Sequence, residues 1–313
     1  MKVSIVMCAY NVAPYIDRAI QSVLHQTYTD WELIISDDRS TDETIAIVEK
    51  YLSDSRIKLY RHEKNVGYVA NKNRAFSYAT GELLTQLDAD DTSTPDRIAL
   101  QVAVFENNPH IKICGSNYTI IDTEDRILES KSYNKDFLVT ELALEYPFWY
   151  PGLMFRTELI TEFGNFSEYF NGIYGDDHFW TMRVNTRYPI YFIKKALYGY
   201  RINPHSLTNV LDKPRKLIAQ DIIKELYRQL KETKTDWLSE GNETGMKAFE
   251  DSLYQNKALM AERYRVWAAK AIDKKNWHQA WSLLKSCLKT GKAGGMGYRT
   301  LFYYFKHRYL RTN

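Results

Sequence analysis

Short apolar runs alternate with longer segments of helical periodicity along the first hundred residues. The apolar runs are rich in β-branched residues and predict four buried strands: residues 2–10, 31–36, 56–62 and 82–87. The helical segments follow these strands: residues 14–26, a segment capped by Ser40, residues 69–79, and a segment that Pro95 begins. Because strands that alternate with helices pair in parallel, the pattern predicts a doubly wound, mostly parallel sheet with helices on both faces.

The pattern becomes mixed after about residue 110. Residues 112–121 and 189–197 are predicted to be strands, and residues 177–187 are predicted to form a helix. We therefore predict an α/β domain over residues 1–208, with a first half of about 1–110 and a second half of about 111–208.

The last third of the chain has few β-branched runs. Helical periodicity is found at residues 214–233 and 246–290, and glycines at 291–297 predict a flexible joint. The final segment, 298–309, is aromatic and basic. Residues 209–313 are therefore predicted to form a helical C-terminal extension.

Polar residues follow the predicted strands at the point where each strand ends. Because parallel strands point the same way, these residues are expected to meet in a crevice at the carboxyl edge of the sheet. They are Asn11, Asp37, Asp38, Asp88, Asp90 and Asp91.

The acidic segment Asp88-Ala89-Asp90-Asp91 is the sharpest chemical signal. Neighbouring carboxylates repel one another unless a cation joins them, and Mg²⁺ and Mn²⁺ prefer oxygen ligands that they share with substrate phosphates. In an extended chain Asp88 and Asp90 would lie on the same side, so that one could meet a metal ion and the other a ribose or sugar hydroxyl. A solvated turn is the alternative interpretation.

Charge is divided unevenly between the two parts of the chain. Residues 1–200 carry 20 Lys and Arg against 28 Asp and Glu, a net charge of −8, whereas residues 201–313 carry 22 against 11, a net charge of +11. A basic extension on an acidic domain indicates an anionic partner, for which an anionic membrane surface or a lipid diphosphate is favoured and no nucleic acid is expected. A solvated helical face, core packing or a homodimer interface remains the alternative.

The expected location is cytoplasmic, with peripheral association at the inner face of the cell membrane. Three widely spaced cysteines form no disulfide or zinc pattern, no signal peptide is recognised, and no apolar stretch is long enough to span a membrane. The first strand-to-helix turn, AYNVAPY, lacks the glycines of a dinucleotide-binding loop, and no phosphate-binding loop motif is present.

Several segments resemble motifs of one family, in that family's order. VSIVMCAYN resembles its VSVIIPxYN strand, ISDDRSTDET its VDDGSTDGT segment, NVGYVANKNRA its NxGxxxARN segment and GELLTQLDADD its GEYIxFLDADD segment. YGDDHFWTMRV resembles its GED segment ahead of a helix. The chain thus resembles inverting family 2 glycosyltransferases of the bacterial surface-polysaccharide type, over residues 1 to about 208. The resemblance implies the GT-A fold, a Rossmann-like sheet, and sugar transfer from a UDP-sugar with Mn²⁺ or Mg²⁺.

The resemblance also implies roles for individual residues. Contacts with the nucleotide part of the donor are expected from a set that follows the family's motifs: Ala9, Tyr10, Asn11, Asp37, Asp38, Lys72, Asp88, Ala89 and Arg201. Metal contacts are expected from Asp90 with Asp88, Asp91 and His205. Asp177 is the expected catalytic base, with Asp176 standing where the family has Glu.

The implied reaction needs a carboxylate to take the proton of an acceptor hydroxyl, on a glycan or a lipid-diphosphate-linked sugar. A cation would neutralise the departing diphosphate. A nucleotide-sugar-binding or scaffold protein without catalysis is the main alternative, but the acids at 88, 90 and 177 are present. For Arg201 an ion pair within the protein is an equally good interpretation.

Overall fold

The computed structural model describes residues 1–130, 133–142, 152–203, 206, 211 and 213–309. The chain divides into two compact units, Met1–Asn209 and Val210–Asn313. His205, which was predicted to contact the metal ion, lies outside the described residues.

The first unit is built on one sheet. Its strands are β1 Val3–Ala9, β2 Trp31–Asp37, β3 Ile57–Arg61, β4 Leu83–Gln86, β5 Thr92–Ser93, β6 Ile113–Ile121, β7 Ile127–Ser130, β8 Phe137–Val139, β9 Met154–Arg156 and β10 Ile190–Arg201. Its helices are α1 Ala13–Leu24, α2 Thr44–Glu49, α3 Tyr68–Ser77, α4 Arg97–Asn107, α5 Glu158–Phe163 and α6 Asp176–Asn185. A single 3₁₀ turn covers Glu168–Phe170.

Within the described residues the sheet runs in the order β3-β2-β1-β4-β9-β6-β10-β5, with β7 beside β6 and β8 beside β10. β3, β2, β1 and β4 are mutually parallel. β9 is antiparallel to both β4 and β6, so β6 and its parallel partner β10 point the same way as the first four strands. The predicted α/β fold with a mostly parallel sheet is confirmed.

The order of the first four strands places a reversal between β1 and β4. The chain moves outwards from β1 to β3 and then returns past β1 to form β4. Right-handed crossovers put α1 and α2 on one face of the sheet and α3 on the other. The crevice outside the carboxyl ends of β1 and β4 is therefore the place where this class of sheet binds ligands.

The interior of the first unit is continuous and apolar. All seven residues of β2 are buried, as are six of the seven in β1. Such strands are mostly apolar because helices cover both of their faces, although β2 also buries the polar side chains of Glu32, Ser36 and Asp37. α1 packs its buried side chains, Ile16, Ala19, Ile20 and Val23, into this core. The rigid core fixes the strand ends from which the acidic residues project.

Two predicted helix starts were wrong. Ser40 does not cap α2, which begins at Thr44; its hydroxyl accepts the backbone N–H of Asn11 at 2.9 Å instead. α4 begins at Arg97, two residues after Pro95, whose carbonyl accepts the Thr27 N–H at 2.8 Å. In both cases a contact with a distant segment determines the boundary, and local propensity cannot report such a contact.

The second unit is helical within its described residues. After a 3₁₀ turn at Pro214–Leu217, its helices are α7 Ala219–Thr233, α8 Glu243–Gln255, α9 Lys257–Asp273, α10 Trp277–Lys289 and α11 Gly294–Tyr309. Asn242, Asn256 and Asn276 cap α8, α9 and α10 by accepting backbone N–H groups. The predicted joint at 291–297 was wrong in its second half, because α11 already begins at Gly294. None of the described helices is long and apolar enough to cross a membrane.

Candidate functional site

The acidic segment after β4 forms a turn. The Asp91 N–H donates to the Asp88 carbonyl at 3.0 Å, so Ala89 and Asp90 occupy the corner. The expectation of an extended chain with Asp88 and Asp90 on the same side was therefore wrong. Asp88 and Asp90 remain close enough for their charges to interact, whereas Ala89 is buried.

Asp88 is surrounded by polar side chains from three elements. Its carboxylate accepts hydrogen bonds from Gln86 and, at 3.2 Å, from the Tyr68 hydroxyl of α3. Its backbone N–H donates to the Tyr198 hydroxyl of β10 at 3.1 Å. Burial, with a contribution from the Asp90 charge, raises the pKa of Asp88 to about 6. A bound cation would favour the ionised form of this carboxylate.

Asp90 and Asp91 differ in what they contact. Asp90 accepts the side-chain N–H of Asn203 at 2.9 Å, and burial raises its pKa. Asp91 is 2% exposed and accepts both the Tyr198 hydroxyl at 2.8 Å and the Arg201 N–H at 2.7 Å. Because both of its oxygens hold β10 in place, the geometry favours a structural role for Asp91 over the expected metal contact.

Arg201 was expected to contact phosphate, with an ion pair as the alternative. Its side chain is fully buried. The guanidinium pairs with Asp125 and donates to the carbonyls of Asp90 and Asp122, each at 2.7 Å. The structure therefore shows the ion-pair alternative, in which Arg201 fixes the acidic turn from behind.

The carboxyl ends of β1 and β2 form a second part of the crevice. Asn11 has a left-handed backbone, φ 49°, and its side-chain oxygen accepts the Thr41 N–H at 2.8 Å. Tyr10 beside it is 53% exposed, so its ring is accessible to a ligand. Ala9 is buried, and its carbonyl accepts the Asp38 N–H at 2.8 Å.

The two acids after β2 have different environments. Asp38 accepts the backbone N–H groups of Val66 and Gly67 at 2.7 and 2.8 Å, and so fixes the loop before α3. Asp37 accepts the Ser40 N–H through Oδ2 at 3.0 Å. Its Oδ1 is buried and has no hydrogen-bond partner among the described residues. The structure thus gives Asp38 a structural contact and leaves in Asp37 an oxygen that a ligand donor could satisfy.

Lys72 was expected to meet base or phosphate, but its side chain is 0% exposed. Its ammonium pairs with Asp176 at the start of α6 and lies 3.9 Å from the ring centroid of Phe166. An opposite charge favours both ionised partners of such a pair, and the carboxylates of Asp176 and Asp177 outweigh burial and raise the pKa of Lys72. Asp176 is therefore held in a buried ion pair with Lys72.

Asp177 is the next residue along and is only partly buried. Its Oδ1 accepts the His178 N–H at 2.7 Å. Burial, followed by the charge of Asp176, raises the pKa of Asp177 to about 7. A carboxylate with a pKa near neutrality is well matched to general-base work at physiological pH.

A contact chain links the two groups of acids. Asp88 accepts from Tyr68, the Tyr68 ring centroid lies 5.1 Å from the Lys72 ammonium, and that ammonium pairs with Asp176. α3 thus lies between an acid after β4 and the acid pair of α6. Tyr68, Gln86 and Tyr198 were missed by sequence reasoning. The spacing of Tyr68 and Lys72, four residues apart on one helix face, was the available signal.

The described residues hold no group of three or more His, Cys, Asp or Glu side chains arranged to bind a metal ion. Mg²⁺ and Mn²⁺ are commonly held by one or two carboxylates together with substrate phosphates. Asp88 and Asp90 provide two such oxygen donors at the carboxyl edge, so this pair fits a cation that is shared with a diphosphate.

A mostly parallel sheet with acids at its switch point and a second acid pair on a separate helix is the arrangement that the resemblance to GT-A proteins implied. The model of the family "Glycosyl transferase family 2" matches residues 4–186. The chain belongs to this family.

Curated relatives match part of the chain. The putative glycosyltransferase EpsE of Bacillus subtilis is 38% identical over 123 residues, which are 39% of this chain and 44% of EpsE. The UDP-Glc:alpha-D-GlcNAc-diphosphoundecaprenol beta-1,3-glucosyltransferase WfgD of Escherichia coli is 40% identical over 120 residues, 38% of this chain and 47% of WfgD. The matched stretch spans less than half of either relative.

Solved structures with the same fold include TarS of S. aureus in complex with UDP-GlcNAc. That structure has a TM-score of 0.61 and 19% sequence identity, and the match covers 96% of this chain and 92% of TarS residues 1–349. The likeness extends over nearly the whole chain and supports the fold.

Proposed function

We propose that the protein is an inverting glycosyltransferase that moves a sugar from a UDP-sugar to a hydroxyl of a glycan or a lipid-linked acceptor. The observation that carries the proposal is Asp177. It is a partly buried carboxylate whose pKa is raised to about 7, and its chain neighbour Asp176 is joined to Asp88 by the contact chain through α3. The pathway we favour is capsule, O-antigen or exopolysaccharide synthesis.

Inversion requires the acceptor hydroxyl to attack the anomeric carbon from the side opposite the leaving diphosphate. Asp177 takes the proton of that hydroxyl as the new bond forms, while His178 N–H holds its other oxygen. We assign Asp88 and Asp90 to the donor side, where the diphosphate would leave. The two acid groups come from different elements, the turn after β4 and the start of α6, which supports a division between the donor and the acceptor.

The donor half of the crevice is assigned to the ends of β1, β2 and β4. Exposed Tyr10 and Asn11 offer a ring and a polar edge to the nucleoside, and the unpartnered Oδ1 of Asp37 would accept a donor group of the base or ribose. A uridine nucleotide is supported by the name of WfgD and by the UDP-GlcNAc complex of TarS.

Asp88 and Asp90 are the residues that would hold Mn²⁺ or Mg²⁺. When bound, the cation would supply charge neutralisation at the leaving diphosphate. We expect UDP to raise the unfolding temperature more with Mn²⁺ than without it, and Asp90→Asn to remove that difference. Asp30→Asn, an exposed acid outside the crevice, is the matched control. If Mn²⁺ increased the UDP-induced rise in unfolding temperature equally in the D90N and D30N variants, the metal role of Asp90 would be ruled out.

Asp177→Asn tests the base directly. The amide keeps the shape of the side chain but cannot accept the proton, so turnover should fall by about 10²–10⁴-fold. UDP should still stabilise the variant as it stabilises the parent protein. The assay is product analysis with a panel of UDP-sugars. Unchanged turnover would show that another residue is the catalytic base.

A nucleotide-sugar-binding protein without catalysis is the second candidate. It would be stabilised by UDP-sugars but would show neither transfer nor slow donor hydrolysis in that panel. The presence of Asp88, Asp90 and Asp177 argues against it.

The site of action that we propose is the cytoplasmic face of the cell membrane, with the protein bound peripherally. The net charge of +11 over residues 201–313 supports this location because the anionic leaflet attracts clustered cations. Acceptors carried on a lipid diphosphate would be met at the same surface, and the name of WfgD describes such an acceptor for that relative.

A further inference from the structure

The last helix carries a row of exposed aromatic side chains. Tyr298, Phe302 and Phe305 are 62%, 67% and 42% exposed. Their spacing of four and three residues places them on one face of α11. We call these three residues the aromatic face.

The opposite side of α11 is the side that packs. Gly297, Thr300 and Tyr304 are buried, and the Tyr304 ring stacks on Trp281 of α10 with centroids 5.5 Å apart. The helix is therefore already anchored to its own unit by one side. Tyr298 and Phe302 are the more exposed members of the aromatic face, whereas the Phe305 ring also meets Trp281, with centroids 6.0 Å apart. Clustered exposed apolar side chains of this kind mark interaction surfaces.

Cations border the aromatic face on both sides. At about 100° per residue, exposed Arg299 and Lys306 lie roughly 100° round the helix on one side and Arg308 lies on the other. Residues 274–313 contain nine Lys and Arg and no Asp or Glu. Exposed rings within a segment rich in Lys and Arg are the pattern of a helix that lies in a lipid interface.

We propose that the aromatic face and its bordering cations dock the C-terminal unit on an anionic membrane surface. The proposal rests on the proposed peripheral location and gives it a structural basis. A second copy of the chain is disfavoured as the occupant, because a symmetric pair of these faces would place cations against cations. RNA is disfavoured because the rings lie on the outer face of a helix, whereas single-strand binders stack bases within a groove.

Vesicle sedimentation with the full chain tests this surface. The protein should bind mixed phosphatidylglycerol–phosphatidylcholine vesicles and bind phosphatidylcholine vesicles much less. Phe302→Ser with Phe305→Ser should weaken binding by about tenfold or more, because burial of two rings is lost. The matched control is Ile127→Ser with Leu128→Ser, which removes the exposed apolar side chains of β7 in the other unit.

Charge is tested separately with Arg299→Gln and Lys306→Gln. Each lost cation should weaken binding to the anionic vesicles by about fivefold, and added salt should reduce the difference. The unfolding temperature of the two charge variants should match that of the parent, since Arg299 and Lys306 are exposed. The double serine variant should unfold at a slightly lower temperature, because Phe305 loses its ring contact with Trp281. Transfer to a soluble acceptor should also persist, which separates failure of docking from failure of the proposed enzymatic function.

Three outcomes would overturn the proposal. One is equal binding by the double serine variant of α11 and its β7 control. Another is a dimer in sedimentation velocity that Phe302→Ser abolishes, in the absence of vesicle binding. The third is salt-dependent binding of single-stranded RNA with no binding of vesicles.

The buried ion pair of Lys72 and Asp176 carries a second, independent inference. It joins α3 to the first turn of α6 across 104 residues of sequence, and neither side chain is more than 5% exposed. Asp176 is adjacent to Asp177 in the chain. A substitution of only one member of this pair would therefore be expected to move the carboxylate of Asp177.

Both members of the pair depart from the motifs that the sequence resembles, which have Arg and Glu at these places. We infer that Lys72 and Asp176 form a matched pair of shorter side chains that positions Asp177, given its proposed role as base. A single exchange would leave one buried charge unpaired or oversized. The pair is therefore expected to work only as a unit.

Four variants test the positioning role: Lys72→Met, Asp176→Asn, the K72M/D176N double variant and the K72R/D176E double variant. Each single variant should lower kcat roughly 10²-fold while the KM for the UDP-sugar stays close to that of the parent. K72M/D176N should regain the unfolding temperature but not kcat, because it removes the buried charges without restoring the link. K72R/D176E should regain both. If kcat followed the unfolding temperature in all four variants, the pair would be structural only.

Discussion

At the scale of single residues, the proton affinity of Asp177 has the most direct consequence. Burial and the neighbouring Asp176 raise its pKa to about 7, whereas an exposed aspartate titrates near 4. A base works only when it is ionised. The fraction of competent protein should therefore rise with pH through neutrality.

We expect kcat/KM to increase about tenfold per pH unit below pH 7 and to level off above it. Asp176→Asn should move the rise in kcat/KM to lower pH. The substitution removes a negative charge beside Asp177 and leaves Lys72 to favour the ionised base. Initial rates measured across the range with saturating donor and with acceptor well below its KM give the profile. A flat profile from acid to alkaline pH would contradict the assignment.

Other residue roles depended on contacts that sequence cannot display. The acids of the crevice were predicted because they end strands, and the strands follow from apolar runs. The partners of Lys72 and Arg201 were not predicted, because each lies far away in the chain. Lys72 meets Asp176 across 104 residues, and the Arg201 N–H meets Asp91 across 110. A cation in a motif looks the same whether it faces a phosphate or a buried carboxylate.

At the scale of elements, the loop before α3 depends on a glycine. Gly67 has φ +87°, and an added Cβ would lie 2.3 Å from the side-chain oxygen of Asn171. Asp38 holds the same loop through the Gly67 N–H at 2.8 Å. The loop is therefore constrained both by backbone conformation and by close approach.

Gly67→Ala should lower the free energy of unfolding by about 2–4 kcal/mol, from backbone strain and overpacking together. Gly164 also has a positive φ, +75°, but an added Cβ there would meet nothing within 4 Å. Gly164→Ala should therefore lower the free energy of unfolding by only about 1 kcal/mol. Urea unfolding of the two variants compares the effects, and equal losses would show that Asn171 moves aside.

Glu32 of β2 ties three neighbouring strands together near one edge of the sheet. It accepts from Ser4 of β1 at 2.7 Å, Lys58 of β3 at 2.8 Å and the Thr80 N–H at 2.8 Å. Burial alone would raise the pKa of Glu32, but the hydrogen bonds from Lys58, Ser4 and Thr80 outweigh it and lower the pKa to about 2.

A lowered pKa stabilises the fold above the unfolded-state value of about 4.3, and the contribution is lost as pH falls towards 2. Glu32→Gln should therefore lower the free energy of unfolding by about 3 kcal/mol at neutral pH. The difference between variant and parent should shrink in acid, which urea midpoints at neutral and acidic pH can measure. A difference that did not depend on pH would show that the charge of Glu32 contributes little.

Helix existence was predicted better than helix ends. Apolar periodicity located α1 and α3 to within about one or two residues, since it reflects burial of one face. The starts of α2 and α4 were missed because Ser40 and Pro95 bond to other segments instead of capping. β5, two residues long, has no apolar run at all and exists through its pairing with β10.

At the scale of the whole molecule, the apolar core that positions the site lies entirely within the first unit. The described core cluster runs from Val3 to Tyr198. The proposed donor residues and the proposed base also lie in this unit. The catalytic machinery is thus contained in a part of the chain with its own interior.

A fragment of residues 1–209 should fold cooperatively and keep its stabilisation by UDP, about 2.7 kcal/mol at a ligand concentration of 100 times Kd. The same fragment should lose association with anionic vesicles. Circular dichroism and thermal shifts check the first expectation, with the full chain as control. A fragment without a cooperative transition would show that the first unit needs the second.

The cysteines of this chain make it well suited to site-directed labelling. Cys114 and Cys287 are buried and Cys8 is partly so, and burial raises the pKa of all three thiols. Maleimides react with the thiolate, so the native cysteines should label slowly. A single reporter introduced by Phe302→Cys would then carry nearly all of the dye. Its emission colour would reveal whether that position enters a lipid phase or stays in water.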